Sequence, residues 1–374
     1  MDKLHEKKEI HIWEDIMGVG GIETFLMNLF RTIELSEYRI VIIPVCKVTD
    51  VYDDELSSLG IEVTPLLNEF VKNPIMRFTL GLISFKRYIK NNDIQNVHFM
   101  VSHCIDFLYI RTAKKCKVIG RISHSENAHV DKLFKKVGHY ALKPFVQKYP
   151  TIRLACSEKA GKWVYTKGYY KKCAIIHNAI LPENYTFNEI KRNKKRRELG
   201  INELFTVVHI GRINRQKNHE KVITVFKEIT KKNSESILLI IGDGKEDQKA
   251  KIYSMTEELN LKEKVLFLGN RSDIKEIMWA SDCMLFPSLF EGLPLVLIEA
   301  QAASLPCVAA DTIDKDVKIC DCLSFVGLNQ SDEYWADRVL NSHNNRCEKK
   351  EEIKEAGYDM YSEKEKVIDV WTRL

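Results

Sequence analysis

Asp282–Val308, DCMLFPSLFEGLPLVLIEAQAASLPCV, opens with a short apolar run, crosses a loop at Gly292, and continues as an apolar segment of helix length from Pro294 to about Ala303. A continuously apolar strand feeding a helix is what a parallel sheet covered on both faces requires, because neither side of such a strand meets water. The same unit recurs upstream. Glu9–Glu14 (EIHIWE), Tyr38–Val45 (YRIVIIPV), Asn96–Val101 (NVHFMV) and Cys116–Ile122 (CKVIGRI) read as strands separated by longer amphipathic stretches. After the charged helical segment Glu189–Ile201 the pattern restarts with Leu204–Gly211 (LFTVVHIG), Ser236–Gly242 (SILLIIG), Lys264–Gly269 (KVLFLG) and Asp282–Pro287. This alternation predicts an α/β chain with two parallel-sheet domains. Strand-to-helix loops then gather at each sheet's carboxyl edge, where open α/β sheets bind ligands, and two such edges facing each other would make a cleft. Asn and Pro punctuation places the junction near Leu181–Asn184.

A chain of 374 residues with 45% apolar content has material for roughly two ordinary cores. Its 57 Lys and Arg against 52 Asp and Glu leave a net +5, too mild for a dedicated nucleic-acid binder. The start, MDKLHEKKEIHIW, lacks the apolar core of a signal peptide, so a cytoplasmic location is expected. Ten scattered cysteines form no CxxC pair, and the Cys320/Cys322 pair lacks zinc-site spacing, which suits reduced thiols. The longest apolar stretch is interrupted by Glu299, Gln301, Ser304 and two prolines, where a membrane span needs about 20 clean residues.

Pro294 suits the first position of a helix, since its missing N–H would have been unpaired there anyway. Glu291, Gly292 and Leu293 then form a loop at the helix amino end, where free N–H groups and the helix dipole attract an anion and Gly292 admits close approach. Glu291 alone could simply complement the dipole, an effect of about 0.3–1 kcal/mol. Glu299, flanked by Leu297, Ile298, Ala300, Ala302 and Ala303, risks burial, which is costly unless donors such as sugar hydroxyls meet it. Elsewhere, HIGRINRQKNHE (His209–Glu220) sets Arg212 and Lys217 just after a strand, where they act on a diphosphate or are plain solvated cations. IMGVGGIETFLMNLF (Ile16–Phe30) places Gly18, Gly20 and Gly21 between a strand and its helix. A dinucleotide fingerprint would need a third glycine where Glu23 stands, so NAD is disfavoured. GRISHSENA (Gly120–Ala128) brings His124 to a strand end, a position more often structural than catalytic.

Together these segments resemble retaining nucleotide-sugar glycosyltransferases of the GT-B fold, and within them glycosyltransferase family 4, in its exopolysaccharide and capsule branch. The E-x7-E signature of that family is matched by Glu291 and Glu299, its GR-x4-K motif by Arg212 and Lys217, its GGxE loop by Gly20, Gly21 and Glu23, and its R-I-x-H-S-H-N by the His124 segment, with Glu126 in place of the second His. The segments Leu154–Tyr165 and Ile175–Ile180 also resemble it, with Ala179 where Gly is common. The resemblance implies two Rossmann-like domains, an acceptor-binding one over 1–182, a nucleotide-sugar-binding one over 183–355, and a helix over 356–374 crossing back to the first. It implies that Glu291 binds donor-sugar hydroxyls, Glu299 the ribose, and the amides around Gly292, Leu293 and Pro294 the diphosphate. Arg212 and Lys217 would stabilise the leaving nucleoside diphosphate, His124 would lie beside the transferred sugar, Gly20 and Gly21 would border donor phosphate and acceptor, and Arg271 would lie near the base. The implied donor is a UDP-sugar, and the acceptor is a glycan or lipid-linked glycan. No cofactor and no metal are expected, for no convincing Asp-x-Asp donor motif or His/Cys cluster stands in the chain. A nucleotide-sugar epimerase on the same fold, or a catalytically silent sugar-nucleotide binder, is the alternative.

DKLFKKVGHYALKPFVQK (Asp131–Lys148) interleaves Lys132, Lys135, Lys136, Lys143 and Lys148 with Leu133, Phe134, Val137, Leu142 and Phe145 at helical spacing. Such a helix either shows a solvated face over an ordinary core or lies against the inner face of the cell membrane as a peripheral contact.

Overall fold

The computed structural model describes residues 7–127, 133–342 and 346–374, with the side chains of Leu133 and Phe134 outside that set, as is Lys132 of the basic segment. The chain forms two compact units, one running to Ala179 and taking back Met360–Leu374, the other spanning Ile180–Asp359. These divisions fall at 179/180 and 359/360 rather than at the anticipated 182/183 and 355/356. The reason is local: the Ile180 amide donates to Tyr358 O at 3.0 Å, which ties the start of the second unit to its end.

The first unit is built on seven parallel strands, β1 (Lys8–Met17), β2 (Tyr38–Lys47), β3 (Glu62–Val63), β4 (Asn96–Val101), β5 (Gly120–Ser125), β6 (Ile152–Ala155) and β7 (Ala174–Ile175), in the order β3-β2-β1-β4-β5-β6-β7. Ile12 lies opposite His98 and Trp13 opposite Phe99, so alternate residues feed the two faces. Trp13, Phe99, Phe85, Phe107 and Tyr109 fill one face, beneath helices Pro74–Asn92, Phe107–Lys115 and Leu133–Val146. The first of these starts where Asn73 accepts from the amides of Ile75 and Met76 and Pro74 follows. It stops at Asp93, whose φ of 47° ends the turn. On the other face Phe25 of helix Gly21–Phe30 meets His124 edge-on, and Trp371 of helix Met360–Thr372 meets Tyr38. The strand anticipated from Cys116 begins only at Gly120. The Cys116 amide still donates to Thr112 O and Lys117 takes φ 68°, so these residues close the preceding helix.

The second unit holds six parallel strands, β8 (Phe205–Ile210), β9 (Ser236–Ile241), β10 (Val265–Gly269), β11 (Cys283–Phe286), β12 (Cys307–Ala310) and β13 (Leu323–Val326), in the order β10-β9-β8-β11-β12-β13. β8 and β9 are apolar almost throughout and buried on both faces. Strand order reverses between β8 and β11, so the loops leaving these two strands diverge around a crevice at the carboxyl edge. The helix anticipated from Pro294 spans Leu295–Ala302. Pro294, with ψ 95°, caps it instead of opening it. Leu297 and Ile298 are fully buried, each worth roughly 1.5–3 kcal/mol, and they anchor that helix end beside the crevice.

Candidate active site

The loop after β8 carries Gly211 to Asn218 and the loop after β11 carries Pro287 to Pro294, and hydrogen bonds stitch the two together. The Leu289 amide donates to Gln216 O at 2.8 Å, Asn218 Nδ2 to Pro287 O at 3.0 Å, and Gln216 Nε2 to Phe290 O at 3.0 Å. Gln216 Nε2 also reaches Glu291 Oε2 at 3.0 Å, while Lys217 Nζ bonds Glu291 Oε1 at 2.7 Å and sits 4.6 Å from the centre of the Phe286 ring. Two residues 74 apart in sequence thus form one ion pair, with side chains only 16% and 8% exposed. Two donors hold the carboxylate in one orientation, and its ammonium partner is fixed over an apolar floor.

Beside this pair the backbone is open. The amides of Gly292 and Leu293 donate to no protein backbone acceptor among the described residues, and those of Leu295 and Val296 belong to the first helical turn, which has no internal partner. A Cβ built on Gly292 meets nothing within 4 Å, and its φ lies outside the left-handed range. Nothing in the fold demands glycine there. Arg212 is exposed and makes no ion pair among the described residues.

Glu299 is buried as anticipated. Burial pushes its carboxyl up from 4.5 to about 6, and a hydrogen bond with the Tyr185 hydroxyl pulls the other way. Arg271 is different. Its guanidinium grips Asp273 with Nε–Oδ1 2.7 Å and Nη2–Oδ2 2.6 Å, on a loop two strands from β8, about 10 Å away across the sheet. Its charge is already matched, so the structure does not bring it to the Lys217–Glu291 pair.

Several supporting residues escaped the sequence reading. Gly242, with φ 127°, and Gly244 let the loop after β9 press on the loop after β8: a Cβ on Gly242 would stand 2.3 Å from Gly211 O, and one on Gly244 2.4 Å from Ile213 O. The signal was available in the Gly-Asp-Gly following β9. Behind Lys217, His209 and His219 pack edge-on at 4.5 Å, and burial with the nearby ammonium holds His219 down to about 4. They therefore stay neutral and add no charge beside the lysine. Among the described residues no group of three His, Cys, Asp or Glu is placed to hold a metal.

In the first unit, Gly20 and Gly21 lie at the start of helix Gly21–Phe30, after β1. The Gly18 amide donates to Glu23 Oε1, and a Cβ on Gly21 would meet nothing within 4 Å. His124 stands near the carboxyl end of β5, where its segment places it. It is wholly buried, stacked on His98 at 5.4 Å and 14°, with burial holding it down to about 4. Glu126, the residue in place of the motif's second His, lies 3.4 Å from His124 Nε2 and accepts from Asn178 Nδ2 at 2.7 Å. Burial raises its carboxyl to about 7.

Fold and site together define a two-domain α/β protein of the GT-B architecture. Anabaena HepE, solved in complex with UDP-glucose, superposes with a TM-score of 0.77 at 15% identity, covering 98% of this chain and 100% of that one. Residues 191–360 match the family described as Glycosyl transferases group 1. Over nearly full length the chain is 27% identical to EpsF of Bacillus subtilis (strain 168), covering 95% of this chain and 93% of that protein. It is 26% identical to the UDP-Gal:alpha-D-GlcNAc-diphosphoundecaprenol alpha-1,3-galactosyltransferase of Escherichia coli, covering 94% of each.

Proposed function

We propose that this protein is a retaining glycosyltransferase of family 4 that moves a sugar from a nucleoside diphosphate donor, a UDP-sugar, to a hydroxyl of a glycan or lipid-linked glycan acceptor in polysaccharide assembly. One observation carries the reading: a fixed ammonium–carboxylate pair, Lys217 and Glu291, borders free amides and an undemanded glycine where strand order reverses. The diphosphate takes the amides of Gly292 and Leu293 and the end of the helix that Pro294 caps, while Arg212 and Lys217 neutralise the charge that grows on it as the glycosidic bond breaks. Glu291 accepts from hydroxyls of the transferred sugar and Glu299 from the ribose. With no side chain poised as nucleophile, the acceptor hydroxyl attacks from the leaving-group side and gives its proton to a diphosphate oxygen, retaining the anomeric configuration. The second unit holds the donor, and the first, with its open Gly20–Gly21 turn, takes the acceptor. The galactosyltransferase relative, whose name specifies a UDP-sugar and a diphosphoundecaprenol-linked acceptor, supports both choices of substrate class.

The test is a thermal-shift screen of nucleotide sugars against the full chain, followed by NMR of the product formed from the best binder. Stabilisation by UDP-sugars and an anomeric configuration equal to the donor's is the expected result. An inverted product overturns the retaining assignment, and an isomerised free donor points instead to an epimerase.

A further inference from the structure

Gln216 and Lys217 are neighbours in the loop after β8, and both send their side chains to the one carboxylate of Glu291. Adjacent residues of an extended chain point to opposite sides, so a turn has to bring these two together. That turn is built locally. The Lys217 amide donates to Asn214 Oδ1 at 2.9 Å and the Asn218 amide to Arg215 O at 3.2 Å. Asn218 takes φ 55°, a left-handed value that asparagine tolerates. Lys217 Nζ thereby lies 2.7 Å from Oε1 and Gln216 Nε2 3.0 Å from Oε2.

The two contacts are not equivalent. An ammonium is a point charge on a flexible stem, so Lys217 neutralises Glu291 without fixing the plane of its carboxylate. The terminal torsion of a glutamate is soft, and a single contact leaves it free to turn. Gln216 supplies the direction, because its planar amide is itself oriented. Nε2 faces two acceptors, Phe290 O and Glu291 Oε2, each at 3.0 Å, and the amide oxygen cannot take its place before either. Both amide hydrogens are spent in this way. The loops after β8 and β11 are already joined without this side chain, by the Leu289 amide to Gln216 O at 2.8 Å and by Asn218 Nδ2 to Pro287 O at 3.0 Å. Beyond its tie to Phe290 O, the Gln216 amide adds the bond to the carboxylate.

We propose that Gln216 is a positioning residue for the sugar of the nucleotide donor: it holds Oε2 of Glu291 while Lys217 holds Oε1, and so sets the direction from which sugar hydroxyls meet that carboxylate. This assignment rests on the function proposed above. A carboxylate offers about four lone-pair sites. Gln216 and Lys217 take one on each oxygen, which leaves one on each oxygen, in a fixed plane, to accept from the ligand. Placement to within about 0.5 Å separates a productive site from a loose one. The diphosphate is held by other groups, the Gly292 and Leu293 amides with Arg212 and Lys217, so loss of the Gln216 amide reaches the sugar and spares the nucleotide.

The test compares two ligands by titration calorimetry on the full chain: UDP, which lacks the sugar, and the tightest binder among UDP-glucose, UDP-galactose and their N-acetylamino counterparts. Gln216→Met keeps the unbranched stem and the backbone bond to Leu289 and removes both amide hydrogens. We expect it to weaken the UDP-sugar about tenfold or more, the scale of one hydrogen bond to a charged group, and to leave UDP within about twofold. In a Glu291→Ala background the same substitution should change UDP-sugar affinity by less than about twofold, since the group through which Gln216 acts is gone. Gln216→Asn, whose amide is one methylene short of Glu291, should reproduce the split. Equal losses for UDP and UDP-sugar would show that Gln216 only supports the loops, and would overturn the proposal. Unchanged UDP-sugar affinity in both variants overturns it too, as does a loss that persists at about tenfold without Glu291. A parent chain that binds none of these nucleotides overturns the UDP-sugar reading and this assignment with it, a result seen before any variant is made. If neither variant folds by circular dichroism, the side chain serves the fold and the assignment falls.

Discussion

Gly292→Ala separates what the fold needs from what a ligand needs. A Cβ at this position meets no atom within 4 Å, and the backbone is outside the left-handed range, so alanine adds neither clash nor strain. It does remove conformational freedom from the unfolded chain, which stabilises by about 0.4–1 kcal/mol at a compatible site. For a cooperative unit of this size that raises Tm by about 1–4 °C. The donor site should respond in the opposite direction. If a diphosphate lies against the Gly292 and Leu293 amides, the added methyl occupies its approach, and a loss of about 1.4 kcal/mol is a tenfold weaker Kd. The assay is a thermal melt of parent and variant with and without UDP, followed by titration. The expected pattern is a variant as stable as the parent or more so without ligand, yet poorly stabilised by UDP. Unchanged UDP affinity would refute close approach at Gly292, and a large loss of unliganded stability would show that the glycine serves the fold.

Lys217→Met should lower turnover by about a hundredfold or more by removing a contact made as the leaving group forms, and Glu291→Gln should do likewise. Because the pair is largely buried, Lys217→Met also leaves Glu291 with only Gln216 as donor and should cost about 1–3 kcal/mol of stability. The double variant should cost less than the sum, measured by urea unfolding. Additive losses would mean that the pair is not coupled. Glu299 gives a pH signature. Its carboxyl, raised from 4.5 to about 6 chiefly by burial, binds its proton more tightly when folded, so its contribution to stability is present below about pH 4.5 and lost as pH rises through 6. Glu299→Gln should therefore become more stable than the parent across that window, by up to about 2 kcal/mol, and the difference should level off above it. A gap in Tm that stays flat from pH 4 to 8, in a series read at about half-unit steps, would show an unperturbed acid.

Much of this was legible in the chain because it rests on local periodicity. Apolar runs such as Ser236–Ile241 are strands buried on both faces, and the eight-residue offset from Glu291 to Glu299 is a property of one loop and one helix. The short strands β3, β6, β7, β12 and β13, of two to four residues, were not legible, since so brief a run carries too little pattern to stand apart from a loop. Residue type also says nothing of occupancy: Arg271 and Arg212 look alike in sequence, but only Arg271 has an aspartate beside it to spend its charge on.

The sequence by itself determined the class of fold, the two-unit organisation and the identity of the acids and cations, because all of these follow from composition and spacing along a few residues. Tertiary structure alone decided that β8 pairs with β11, and hence that Lys217 meets Glu291 across 74 residues. It also decided that His124 is enclosed behind Phe25 and His98. Contacts of that kind depend on strand order and on which layer a helix joins, and no local window of sequence contains either.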